Sequence, residues 1–171
     1  ILSDHAYCEQ KAANTAISLI ISIPEKEELV SEMIDLAQEE MSHFKMVHQL
    51  IKERGYTLGK QRPDYYVRDL LTFFPKGGSR EFHLVHRLLY AGLIEARSCE
   101  RFRLLSEHLN DHKLRTFYKK LMISEANHYV LFLKLAKIYT SPAIVKKKWQ
   151  ALLIYEAEIM RKLGEKENIH G

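Results

Sequence analysis

The chain has 171 residues, of which 46% are hydrophobic and 28% charged, a composition typical of one soluble globular domain. With 7 Gly and 4 Pro an all-β fold is disfavoured, 2 Cys are too few for a disulfide scaffold, and no apolar run is long enough to span a bilayer. The net charge of +4 and the pI near 9.0 permit a polyanionic partner without requiring one. We expect a cytoplasmic protein with reduced thiols at Cys8 and Cys99. We also expect native residues before Ile1, because the chain opens partway into a helical pattern.

Hydrophobic periodicity and turn residues predict five long helices and one short helix. Pro24 suits the first position of the second helix, and Gly55 suits the position just after its end. Asp111 can cap the fourth long helix, and Ser141 followed by Pro142 can open the fifth. In chain order, the predicted helices run over about Leu2–Ser22, Pro24–Arg54, Asp64–Phe74, Ser79–Leu109, 112–139 and Pro142–Leu163, and a frayed polar tail follows Gly164.

The lengths of the connections indicate how the helices are arranged. Short links join the first two long helices and the next two, whereas residues 55–78 form a long crossover between these pairs. Two antiparallel hairpins joined by one long crossover are the ferritin-like way of building a four-helix bundle. We therefore predict an all-α fold in which residues 1–171 form a single ferritin-like four-helix-bundle domain with an additional C-terminal helix.

A Glu-x-x-His motif occurs twice, and each copy lies on a long predicted helix. Such a motif on each of two helices, with one more glutamate from each of two others, is the ligand set of a dinuclear carboxylate site in a helix bundle. In each of the four helices an ionisable residue interrupts the middle of an apolar stripe with spacing 3–4. The candidate ligands, which would be catalytic through the metal centre, are Glu9, Glu40, His43, Glu95, Glu125 and His128.

The axial positions of the four glutamates agree with this interpretation. Residues equidistant from the turn of an antiparallel hairpin lie at one level. The midpoint of Glu9 and Glu40 falls on the first predicted turn, and that of Glu95 and Glu125 falls on the second. Glu100 is the rival ligand on the third long helix, but its midpoint with Glu125 falls past the turn. We therefore choose Glu95.

The donor set indicates the metal. Four carboxylates and two imidazoles suit iron or manganese, and two divalent ions balance four carboxylates. Without metal, ionised carboxylates in an apolar core are costly, so we expect the metal-free protein to take up protons and to be less stable. A single Glu-x-x-His motif more often lies on the solvated face of a helix. Ionisable residues that interrupt the apolar stripes of all four helices favour a metal site instead. Of the other candidates, His5 and His86 could lie near the site, whereas Tyr90 and Tyr129 are expected to be packing aromatics.

Four stretches, Asp4–Ala13, Glu39–Phe44, Glu95–Phe102 and Ser124–His128, resemble the tRNA 2-methylthio-N6-isopentenyladenosine hydroxylase family. The resemblance spans nearly the whole chain. It implies a non-haem diiron monooxygenase that hydroxylates the isopentenyl group of a hypermodified adenosine beside the tRNA anticodon. It further implies a tRNA substrate, two iron ions, O2 and two electrons from an unidentified donor, with the same six residues as ligands. The expected family residues before the first helix are missing from this chain, and no membrane partner is expected.

Basic residues could bind RNA phosphates, although each of them could equally be an ordinary solvated side chain. The candidates are Lys60, Arg62, Arg68, Arg115, Lys119, Lys120, Lys146, Lys147 and Lys148.

Other functions remain open on the sequence alone. A rubrerythrin-type peroxidase is disfavoured, because no Cys-x-x-Cys pair is present. A ferritin-like iron oxidase or iron store without an RNA substrate, and a manganese catalase-like enzyme, are the alternatives. Storage would require assembly into a hollow shell.

Overall fold

The computed structural model describes residues 1–163, which form six α-helices and no β-strand. The five long helices and the short one are those predicted. They are α1 (Leu2–Ser22), α2 (Glu27–Glu53), α3 (Tyr65–Leu71), α4 (Arg80–His108), α5 (His112–Tyr139) and α6 (Pro142–Leu163).

The predicted start of α2 is wrong by three residues. Pro24 and Glu25 form a turn, and the helix begins at Glu27. The buried side chain of Ile23 anchors this turn, and its carbonyl accepts a hydrogen bond of 3.2 Å from the Lys26 amide. The chain therefore needs residues 24–26 to reverse direction before α2 can start. The short helix α3 is also shorter than predicted at both ends, with Asp64 as its N-cap.

The chain forms two compact units, and the first comprises Ile1–Pro63. In it, α1 and α2 pack against each other as an antiparallel hairpin. The buried face of α1 carries several alanines, and the buried face of α2 carries a stripe of leucine and methionine. The buried apolar residues of α1 and α2 are Ala6, Ala13, Ala16, Leu19, Leu29, Met33, Leu36, Val47, Leu50 and Ile51.

The loop after α2 is fastened back to the start of α1. Gly55 ends α2 with φ +76°, a left-handed conformation that glycine adopts without strain, as predicted. Further along, the backbone of Gly59 is held from both sides. Its amide donates to Ser3 Oγ at 3.1 Å and its carbonyl accepts from the Tyr7 hydroxyl at 2.9 Å. These two bonds set the direction in which the crossover leaves α2.

The second unit begins at Asp64 and is built on the α4–α5 hairpin. Ser79 and Asp111 cap the two helices, each accepting from a backbone amide at 3.1 Å. Gly92 allows the helices to approach closely, since a β-carbon there would lie 3.3 Å from Phe132 Cβ. Helix α6 packs on α5 and α3 packs on α6.

Some expectations about the whole chain stay predictions. The single-domain organisation of residues 1–171 is one of them, and the polar tail after Gly164 lies outside the described residues. Within residues 1–163, none of the helices has the length and apolar character that crossing a membrane requires. In the same part of the chain, Cys8 and Cys99 are half-buried and neither takes part in a disulfide.

Candidate metal centre

The first hairpin brings three of the predicted ligands together. Glu9 on α1 and the Glu40–His43 pair on α2 are 3%, 0% and 5% exposed. Helical spacing places Glu40 and His43 on the same face of α2, one turn apart. His43 Nδ1 lies 3.7 Å from Glu9 Oε2 and 3.5 Å from Glu40 Oε2. Three buried donor groups of mixed carboxylate and imidazole type therefore converge in this hairpin.

A further histidine supports this group. His5 is fully buried one helical turn before Glu9, and its Nε2 is hydrogen-bonded to Glu9 Oε1. From the sequence, His5 was predicted only to lie near the site. The available signal was its i, i+4 spacing to Glu9 on the apolar face of α1. Metal-bound groups are commonly oriented in this way by a second hydrogen-bonded residue.

The pKa values of Glu9 and His43 are shifted by the neighbouring groups of the hairpin. Burial alone would raise the pKa of Glu9, but the charge of His5 and hydrogen bonds with His43, His5 and Glu40 lower it well below its usual range. Burial alone would lower the pKa of His43, but hydrogen bonds to Glu40 and Glu9, together with their charges, raise it to about 10. At neutral pH the metal-free hairpin thus favours a protonated His43 beside an ionised Glu9. A metal ion bound there would displace that proton.

The second hairpin brings the other three predicted ligands together. Glu95 on α4 and Glu125 and His128 on α5 are 3%, 2% and 4% exposed, and each offers a ligand atom within 4.8 Å of the others. His128 Nδ1 lies 4.0 Å from Glu125 Oε2. Glu100, the rival to Glu95, is exposed and pairs with Arg97 instead. The structure therefore places Glu95 with the other two candidates and leaves Glu100 at the surface.

The donor chemistry of both hairpins fits a metal ion. Each offers two carboxylates and one imidazole, nearly excluded from water, and oxygen with imidazole nitrogen is the combination that iron and manganese accept. Ionised carboxylates are rarely buried unless they are paired or bind a metal. The structure therefore supports metal binding by these residues.

A buried polar network in the second unit was not predicted from the sequence. Glu156 on α6 accepts a hydrogen bond of 3.3 Å from the Tyr66 hydroxyl of α3 and pairs with Arg97 of α4, 3.2 Å from its Nε. Burial raises the pKa of Glu156, and the charge of Arg97 partly opposes this. The signal was present, since Glu156 continues the apolar stripe of α6 at 3–4 spacing between Leu152 and Ile159. The network ties α3, α4 and α6 together.

The two tyrosines behave as predicted. Tyr90 packs edge-on against Phe74, with ring centroids 6.1 Å apart, and Tyr129 packs against Trp149, with centroids 5.6 Å apart.

The basic residues predicted to bind RNA are distributed over several surfaces. Arg68 pairs with Asp69 at 2.9 Å. Arg115 and Lys119 line a cleft beside the α4–α5 turn. Lys148 is half-buried, with its Nζ 2.8 Å from His86 Nε2. The remaining candidates are exposed: Lys60, Arg62, Lys120, Lys146 and Lys147.

The chain is similar to proteins of known name along its whole length. A family model described as tRNA-(MS[2]IO[6]A)-hydroxylase (MiaE) matches residues 1–171. A Pseudomonas putida protein named tRNA 2-(methylsulfanyl)-N(6)-isopentenyladenosine(37) hydroxylase is 36% identical over 170 residues, which are 99% of this chain and 82% of that protein. A Salmonella typhimurium protein of the same name is 36% identical over 110 residues, which are 64% of this chain and 40% of that protein.

A solved structure extends the likeness to the fold. It is titled Protein 43 with aldehyde deformylating oxygenase activity, from Synechococcus, and has a TM-score of 0.92 and 34% identity, covering 100% of this chain and 86% of that one. This match confirms the predicted all-α, ferritin-like fold class. The whole-length family match, the long alignment to a tRNA hydroxylase and the buried glutamates and histidines agree with one another. The chain belongs to the MiaE family of tRNA hydroxylases.

Proposed function

We propose that this chain is a non-haem diiron monooxygenase that hydroxylates the isopentenyl group of the modified adenosine next to the tRNA anticodon. The observation that carries the proposal is the pair of buried Glu/His groups, one in each hairpin, in a member of a tRNA hydroxylase family. The named relatives support the substrate. With a tRNA substrate, the protein would act in the cytoplasm.

The metal would be held by all six predicted ligands acting together. Four carboxylates balance two divalent ions, and the two imidazoles complete a set typical of dinuclear sites in helix bundles. The ligands in this proposal are Glu9, Glu40, His43, Glu95, Glu125 and His128. Two iron ions would supply activation of O2. Manganese, which accepts the same donors, is the competing metal.

The protein's own residues would orient the centre and keep water away from it. His5 fixes Glu9 through a direct hydrogen bond, so that this carboxylate enters the site in one orientation. In the overall reaction one C–H bond of the isopentenyl group becomes C–OH. The second oxygen atom leaves as water, which consumes two electrons and two protons. A separate electron donor must supply those electrons.

The direct test uses iron-reconstituted protein, a chemical reductant, O2 and tRNA that carries the isopentenylated adenosine. After digestion of the RNA, mass spectrometry should show one added oxygen atom on that nucleoside. Omission of iron, reductant or O2 should each abolish the product. The variant Glu125→Ala should abolish it too, whereas the surface variant Glu100→Ala should retain it. Bound, oxidisable iron without any nucleoside product would refute the RNA substrate.

A second candidate function comes from the solved structure. Its name includes aldehyde deformylating oxygenase activity, and the structural likeness at 34% identity favours testing an aldehyde as substrate. The same reconstituted protein should be given that aldehyde in a parallel reaction. Conversion of the aldehyde without oxidation of the RNA would replace the tRNA proposal. An iron-storage function would instead require a large hollow assembly, which size-exclusion chromatography detects.

A further inference from the structure

An open cleft lies beside the turn that joins α4 to α5. Its volume is about 600 Å³, and both helices contribute to its wall. The last two turns of α4 supply one side, and the first turns of α5 supply the other. Its lining includes Arg103, Ser106 and Glu107 of α4, and Arg115 and Lys119 of α5.

The charge of this cleft is positive, and its cations are not equivalent. Arg103 Nη1 donates to both carboxylate oxygens of Glu107, at 3.1 and 3.3 Å, so these two charges largely cancel. Arg115 donates from Nε to the backbone carbonyl of Ser106 at 3.2 Å, a neutral acceptor that fixes the guanidinium without neutralising it. Lys119 lies one helical turn after Arg115 on the same face of α5. The cleft therefore has two cationic groups in excess.

The helix dipole adds to the positive field of Arg115. Arg115 lies in the first turn of α5, which begins at His112, whereas Lys119 lies one turn further along. A planar guanidinium held by a backbone carbonyl is well suited to forked hydrogen bonds with phosphate oxygens. The cleft is concave, and it presents the oriented guanidinium of Arg115 and the flexible ammonium of Lys119 to a polyanion.

We propose that this cleft binds the phosphate backbone of the RNA substrate. The inference rests on the proposed tRNA hydroxylation. Along α5, Lys119 is six residues and Arg115 ten residues from Glu125, which is about 9 and 15 Å at the helical rise. One RNA stem-loop can therefore have its target base splayed out toward the metal ligands and a backbone segment in the cleft.

The lysines of α6 are the alternative surface for the RNA. Lys146 and Lys147 are exposed side chains outside the cleft beside the α4–α5 turn. Lys148 is engaged within the protein, since it contacts His86 Nε2 at 2.8 Å and its Nζ lies 4.6 Å from the centroid of the Phe82 ring. Burial also lowers the pKa of Lys148. Lys146 and Lys147 therefore provide a matched control for the two cleft cations.

The experiment compares Arg115→Gln/Lys119→Gln with Lys146→Gln/Lys147→Gln, each removing two positive charges from an exposed helix surface. Iron-loaded full-length proteins are titrated with a synthetic RNA stem-loop that carries the isopentenylated adenosine, at several salt concentrations. We expect the cleft variant to bind about tenfold or more weakly at low salt. Its plot of log affinity against log salt should be shallower by roughly 0.7–0.9 for each phosphate that the variant no longer neutralises. The α6 variant should match the wild type in both respects.

The possible outcomes separate this proposal from the function on which it rests. Equal affinities and equal salt slopes for the cleft variant and the wild type would overturn the proposal, as would losses confined to the α6 variant. If the cleft variant binds RNA normally but is reduced more slowly by an acidic electron-transfer protein, the cleft serves that protein and the RNA proposal is overturned. Hydroxylation by the wild type is measured in parallel. If the wild type does not hydroxylate the RNA, the proposed function is wrong. If it does, and the cleft variant binds RNA as tightly as the wild type, only the proposal about the cleft is wrong.

Discussion

Replacing Glu95 by alanine should abolish metal-dependent stabilisation, whereas replacing Glu100, on the same helix, should leave it intact. Glu95 is 3% exposed and offers a ligand atom within 4.8 Å of Glu125 and His128. The side chain of Glu100 is 50% exposed and pairs with Arg97. Removal of this buried side chain also changes the stability of the metal-free protein, so each variant is compared with its own metal-free form. The substitution removes a proposed metal ligand, so it should eliminate the rise in Tm that metal binding produces.

The size of the effect follows from ligand linkage. An ion present at a hundredfold excess over its dissociation constant stabilises the folded state by about 2.7 kcal/mol. For a chain of this size that free energy corresponds to a rise in Tm of roughly 5–11 °C for each ion. Loss of the half-exposed Arg97–Glu100 pair should lower the free energy of unfolding by only about 0.2–1 kcal/mol, both with and without iron.

The assay is a thermal melt of each variant under anaerobic conditions, with and without iron(II), together with the iron content per chain. Wild type and Glu100→Ala should show the full upward shift in Tm and equal iron content. Glu95→Ala should show little or no shift and a reduced iron content. A Glu95→Ala protein with the full shift, or a Glu100→Ala protein without it, would refute the choice of ligand.

Three further predictions concern stability. Burial lowers the pKa of His86 from 6.5 to about 4, so His86 is neutral in the folded state, and stability should fall as pH drops from about 6.5 toward 4, by at most about 3 kcal/mol. Urea titrations should show a smaller loss over this range for His86→Gln, and equal pH profiles would contradict the assignment. Gly92→Leu should lower the free energy of unfolding by about 1–3 kcal/mol, because a β-carbon there would lie only 3.3 Å from Phe132 Cβ. An unchanged urea midpoint would show that α4 and α5 can separate at little cost in free energy. Tyr66→Phe removes a hydrogen bond to Glu156 and should cost about 1 kcal/mol in the same measurement, whereas no loss would mean that water replaces the hydroxyl.

The helices and the buried positions of the six candidate ligands could be predicted because they depend on local geometry. An amphipathic helix repeats every 3–4 residues, so a charged residue within an apolar stripe must point into the core. The level of that residue in an antiparallel hairpin follows from counting back to the turn. Glu95 was chosen over Glu100 on this ground, and the structure places Glu95 in the buried group and Glu100 at the surface.

Other parts of the site depend on contacts that counting along a helix does not reveal. The bond from His5 to Glu9 joins residues on one helix, but the hydrogen bonds with His43 and Glu40 that also lower the pKa of Glu9 come from α2. Lys148 and His86 are 62 positions apart in the sequence and lie on different helices. The sequence alone therefore does not distinguish Lys148 from its exposed neighbours as a candidate for RNA binding.

The sequence by itself determined the fold class, the helices within a few residues and the six candidate ligands, because periodicity, caps and turns are encoded locally. Only the tertiary structure decided which basic residues share a cleft and that Glu156 joins Tyr66 and Arg97 in one network. The physical reason is that these features depend on the distance between segments far apart in the chain. That distance is set by side-chain packing, and no residue pattern within a single helix specifies it.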